Sequence, residues 1–104
     1  MPARSEIFRA KAAESPENLL FQFSLGQALA NEDNGADAII PLQRCVEGRS
    51  DWMAPRILLG RCLLDQSQAP AAAKVLNEAL DLAVTQGHED PENEIRALLA
   101  DIAS

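Results

Sequence analysis

The chain has 104 residues, of which 47% are apolar and 24% charged. That is the balance of a folded chain rather than a disordered one, and the length suits one domain spanning 1–104. Sixteen acidic against nine basic residues leave a net charge of −7 and a pI near 4.5. That sign is wrong for a phosphate-rich partner, which sets DNA and RNA aside. No apolar run reaches the roughly 18 residues of a membrane span, so no membrane partner is expected. Met1-Pro2-Ala3-Arg4-Ser5-Glu6 has no apolar signal core, so a cytoplasmic protein is expected.

Alanine and leucine dominate, β-branched residues are few, and apolar positions recur at spacings of three and four, so the chain reads as helix throughout. The first segment covers 4–14. Ser15-Pro16-Glu17-Asn18 then reads as an N-cap with a first-turn proline, opening a second helix over 16–31. Asn34-Gly35 is a turn between flanks of helical period, which excludes a hairpin there. The third segment, 35–48, contains Pro41, so a kink or a late start is expected. Ser50-Asp51 is read as the cap of a helix over 52–65, Ser67 as the cap of 69–86, and Asp90-Pro91 as the start of 91–102. Short connections make successive helices antiparallel neighbours.

The inventory of reactive groups excludes most chemistry. His88 is the only histidine, and tyrosine is absent. Neither a zinc spacing, nor a phosphate-cradling glycine loop, nor a GxSxG turn is written in the sequence, so no cofactor, metal set or catalytic residue is assigned. Asn31–Asp37 fails as a calcium loop, because Pro41 stands where the bidentate glutamate belongs. His88–Glu94 reads as an acidic helix start rather than a cation site. Cys45 and Cys62 are expected to be reduced core thiols.

Shifted by 34 residues, 19–52 aligns with 53–86 at five identical positions: Leu25-Gly26 on Leu59-Gly60, Leu29 on Leu63, Ala38 on Ala72 and Leu42 on Leu76. A mid-helix glycine costs about 1 kcal/mol against alanine, so its recurrence implies a close helix approach. Ala38 and Ala72 are the small residues expected to sit against Gly26 and Gly60, with the leucines around them. Phe8 and Pro16 fall where a preceding copy would carry its aromatic and its closing proline.

This pattern resembles the tetratricopeptide repeat family, whose signature runs W-x2-L-G-x2-Y, then A-x3-F, then P. Here it stands as Gln22-x2-Leu25-Gly26-x2-Leu29, then Ala38-x3-Leu42, and again from Arg56 to Leu76, with the aromatics and the closing proline replaced. The resemblance implies an all-α solenoid of antiparallel helix pairs in a right-handed superhelix of about six helices. It divides the chain into a leading helix at 4–14, repeat 1 at 19–52, repeat 2 at 53–86 and a capping helix at 91–102. The cap arrives about seven residues late, which leaves its register open.

In that family the first helix of each pair lines a concave groove that holds segments of partner proteins. Carried over, the groove comprises Leu20, Phe23, Gln27, Ala30 and Asn31, then Ala54, Ile57, Arg61, Leu64 and Asp65. Helical spacing places 20, 23, 27 and 30 on one stripe and 22, 25, 26 and 29 on another, facing the paired helix. Phe23, Gln27 and Leu58 stand where some relatives clamp a chaperone carboxylate, and they do not supply that clamp. Phe23 and Ile57 serve either the groove or packing beneath a terminal helix. Arg61 either pairs with Asp65 one turn on or receives an acidic ligand group. Trp52 reads as partly buried against Arg49 or the preceding helix rather than as an exposed hot spot. The expected function is binding of a peptide or helix of another protein, not catalysis. The alternative is a homodimer built through the groove or an end face.

Overall fold

The computed structural model describes residues 2–103, and all its regular structure is helical: α1 (Arg4–Glu14), α2 (Leu19–Asn31), α3 (Gly35–Gly48), α4 (Met53–Asp65), α5 (Ala69–Gln86) and α6 (Glu89–Ala103). Each helix packs on the next along the chain, and α2 also touches α4. This sequential stacking produces an elongated body of 40 × 26 × 21 Å. Because α2 lies against α1, α3 and α4, it is apolar nearly all round, as a helix enclosed on several sides must be.

The stripe at 22, 25, 26 and 29 is buried. What meets its glycine is a leucine. A Cβ on Gly26 would lie 2.7 Å from Leu42 Cδ2, and one on Gly60 would lie 2.5 Å from Leu76 Cδ2. Ala38 and Ala72 are fully buried, but the residue that fills the glycine notch is one turn further along the partner helix. The larger side chain wins the place because a notch without Cβ leaves room for an isobutyl group.

The α2–α3 and α4–α5 connections also share one turn. Asp33 and Ser67 both adopt φ 60°. Asn34 N–H donates to the Leu29 carbonyl at 2.8 Å, and Gln68 N–H to that of Leu63 at 2.9 Å. These are two copies of one left-handed helix-ending turn. Ser67 therefore ends α4 rather than capping α5, whose N-cap is Gln68. The helix starts differ elsewhere too. Asn18, not Ser15, caps α2, its side chain accepting from the N–H groups of Leu20 and Phe21 at 3.0 and 3.2 Å. Pro16 instead offers its carbonyl to Gln22 Nε2 at 3.0 Å. In the second unit Arg56 Nη1 donates likewise to the Ser50 carbonyl, and Trp52 is the N-cap of α4. Buried Gln22 and Arg56 thus tie down the turns at Ser15-Pro16 and Ser50-Asp51 in place of the expected serine caps. Pro41 does not delay α3, which starts at Gly35 and continues through the buried proline to Gly48. α6 begins at Glu89, so Pro91 sits inside its first turn and Asp90 is helical rather than a cap. Cys45 and Cys62 are free and buried.

Candidate functional site

Two depressions lie along α4. One, of about 340 Å³, lies at the carboxy-terminal ends of α2 and α4 and is lined by Ala30, Asn31, Leu58, Arg61, Cys62, Leu64, Asp65 and Leu98. The other, of about 320 Å³, lies at the start of α4. Ala54 and Ile57 line it with Trp52, Met53, His88 and Pro91, and Arg49, Asp51 and Gln86 complete its wall. Seven of the ten residues assigned to the groove from sequence therefore border one depression or the other. Leu20, Phe23 and Gln27 border neither.

Leu20 is 62% exposed at the beginning of α2, and Gln27 is exposed. Phe23 is half-buried, its ring centroid 5.0 Å from that of Trp52 with the planes tilted by 55°. The Arg49 guanidinium covers the other ring partner, lying 5.0 Å from the Trp52 centroid. Trp52 thus contacts both Phe23 and Arg49. Ile57 packs with Met53, Leu80, Leu98 and Leu99 around the buried Leu76, Ala79, Ala83 and Ile95. Phe23 and Ile57 consequently have packing roles whatever else they touch.

Arg61 does not pair with Asp65. Its Nη2 lies 3.1 Å from Glu94 Oε1 on α6. A carboxylate facing it from the neighbouring helix displaces the one a turn along α4. The pair is exposed, with 55% and 40% of the side-chain surfaces open, so it contributes little stability. It does neutralise Arg61, leaving Asp65 as a carboxylate with no ion-pair partner among the described residues. Among those residues no group of three or more His, Cys, Asp or Glu is placed to hold a metal, and no helix is long and apolar enough to cross a membrane. Burial pushes the Cys45 thiol up to about 11, and desolvation also raises that of Cys62, with Asp65 adding to the rise and Arg61 opposing it.

Sequence reasoning missed Leu98, Glu94, Pro91 and Met53. The i, i+4 pair Glu94–Leu98 was the available signal, but the register of the last helix was open. Leu58, a clamp position in the resemblance, stands instead in the wall of the hollow beside Leu64 and Leu98.

No protein-family model and no curated protein matches the sequence. Solved structures do match. The Yersinia enterocolitica type III secretion chaperone SycD superposes with a TM-score of 0.85 at 17% identity, over 95% of this chain and 76% of that one. The TPR2B domain of yeast Sti1 gives 0.83 at 15% identity, over 95% and 79%. Protein BPP2914 of Bordetella parapertussis gives 0.81 at 23% identity, over 99% and 90%. The fold is that of the tetratricopeptide repeats. Leu98 of α6 borders the same hollow as Ala30 and Asn31 of α2, and Glu94 of α6 pairs with Arg61 on its α4 wall.

Proposed function

We propose that the protein is an interaction module that holds a peptide or helical segment of a partner protein across α2, α4 and α6, acting by binding and not by catalysis. The observation that carries this reading is the depression of about 340 Å³ in which three helices present Ala30, Leu58, Leu64 and Leu98 to solvent together. A hollow that sets an apolar wall beside Asn31, Arg61 and Asp65 can both desolvate a partner side chain and orient it. Similar structures lend support: SycD was solved with a peptide of the translocator YopD, and the Sti1 domain with pHsp70. In this reading α2–α3 (19–52) and α4–α5 (53–86) are the repeat units of a single domain, with α1 leading and α6 closing. Ala54 and Ile57 extend the contact toward Trp52, and Leu20, Phe23 and Gln27 form its far end. The free thiols of Cys45 and Cys62 suit a reducing compartment, and we assign the protein to the cytoplasm.

The test is capture of a partner by the intact chain compared with Asn31→Trp. Asn31 is exposed and edges the depression, so the indole fills the hollow without removing a buried contact. A partner retained by the native chain and lost by the variant, with helicity unchanged by circular dichroism, supports the groove. A partner held equally by both overturns it. Sedimentation of both chains reads self-association, and a native dimer that Asn31→Trp dissociates would mean that the groove serves a second copy instead.

A further inference from the structure

The same depression has an electrostatic bias that the apolar wall alone does not give, and the inference drawn from it rests on the groove reading. Asn31 is the last residue of α2 and Asp65 the last of α4, so the hollow sits where two helices end. A helix carboxy-terminus carries about half a negative charge. Such ends are usually met by a basic residue in the last turn, and neither α2 nor α4 has one. Asp65 adds a full carboxylate at the rim, exposed and without an ion-pair partner among the described residues. The nearest cation, Arg61, is already committed to Glu94. One unpaired carboxylate and two helix ends therefore converge on a half-apolar hollow whose side-chain cation Arg61 is already paired, and the amino-terminus of α3, which packs against Cys62 at Gly35, offsets the helix ends only in part.

We propose that this hollow takes a lysine or arginine side chain of the partner segment, its methylene stem lying on Leu58, Leu64 and Leu98 and its cation on Asp65. Only long basic side chains join an apolar stem to a charged tip in this way. A leucine would fill the hollow and leave the negative potential unanswered. A glutamate would meet it with the same sign, and like charges across an interface are strongly disfavoured.

The experiment titrates the full chain with three short fluorescent peptides. They share the same leucine positions and differ only in carrying lysine, glutamine or glutamate between them. The expected order of affinity is lysine, then glutamine, then glutamate, with roughly tenfold or more between the extremes at low salt and a smaller gap at high salt. Asp65→Asn narrows the gap and Asp65→Lys abolishes or inverts it. Both substitutions fall on an exposed helix end that favours neither acid nor burial, and circular dichroism verifies the fold. Equal binding of all three peptides, lost in Asn31→Trp, overturns the basic preference and leaves the groove reading standing. A lysine preference that survives Asp65→Lys places the cation elsewhere and overturns the assignment. Binding of none of the three overturns the basic anchor, and the groove reading then stands or falls on the capture experiment alone.

Discussion

Gly26 and Leu42 interlock so closely that a single methyl group on the glycine would lie 2.7 Å from both Cδ2 and Cγ of the leucine. Cγ is not the movable tip of the side chain, and Leu42 is fully buried, so it has nowhere to retreat. Gly26→Ala gains about 1 kcal/mol of helix propensity but overfills a closed contact, which costs about 1–3 kcal/mol. The expected result is a net loss of stability, measured as a lower midpoint in urea with an unchanged slope. Gly35→Ala is the contrast. Its Cβ would sit 3.6 Å from Cys62 Sγ, an ordinary contact, and that variant is expected to be neutral or stabilising.

Ser67 holds a left-handed backbone, φ 60°, at the end of α4. For an L-residue that conformation costs about 1–2 kcal/mol relative to glycine, part of which glycine returns through its larger unfolded-state entropy. Ser67→Gly is therefore expected to stabilise the protein by about 0.5–1 kcal/mol. Asp33→Gly at the equivalent turn is expected to gain less, because aspartate tolerates this region better than serine. Thermal unfolding of both variants checks the order. Equal or reversed shifts would mean that the turn side chains contribute contacts of their own.

The architecture was legible from residues that the stacking itself demands. Gly26, Gly60 and their leucines recur at one period because every unit buries the same notch, and that periodicity survives without the family's aromatics. The caps were not legible. Ser15, Ser50 and Ser67 have the composition of N-caps, but Gln22 and Arg56, each the fourth residue of its helix, reach back to close two of those turns, and the third serves the helix before it. Both bonds span six residues, and the closure depends on Gln22 and Arg56 being buried, which the local cap composition does not reveal. The groove was legible in part. Positions on α4 followed from helical spacing, whereas Glu94 and Leu98 depended on how α6 docks, which is set by α5 running on to Gln86 and the left-handed Gly87 that follows it.

Cys45 has a thiol pushed up to about 11 by burial, and Cys62 is also raised above 9.0. Each folded-state pKa lies above its unfolded value, so the folded chain holds these protons more tightly. Their contribution is fully present below about pH 9 and is lost as pH rises through 11. Stability is expected to fall across that window, and the fall should be shallower in Cys45→Ala than in the native chain once each is referred to its own value at pH 7. The same burial makes alkylation of the native thiols slow at pH 8 and fast in denaturant. Rapid labelling of the native protein would show that the α2–α3 contact opens readily, since Cys45 Sγ is held against the Leu19 carbonyl at 3.4 Å.

The Arg61–Glu94 bridge makes a prediction that separates stability from recognition. Both side chains are about half open to water, so a double-mutant cycle with Arg61→Ala and Glu94→Ala is expected to give a coupling below about 1 kcal/mol that shrinks in 1 M salt. A coupling well above that would make the bridge a brace for α6 rather than a charge-neutralising pair. Glu94→Gln should therefore leave the unfolding midpoint almost unchanged, yet it releases the Arg61 cation beside the hollow at the ends of α2 and α4. Affinity for a lysine-bearing peptide should then drop severalfold, while that for its glutamate counterpart rises. Arg61→Gln should do the reverse, because it leaves Glu94 and Asp65 together without a cation between them.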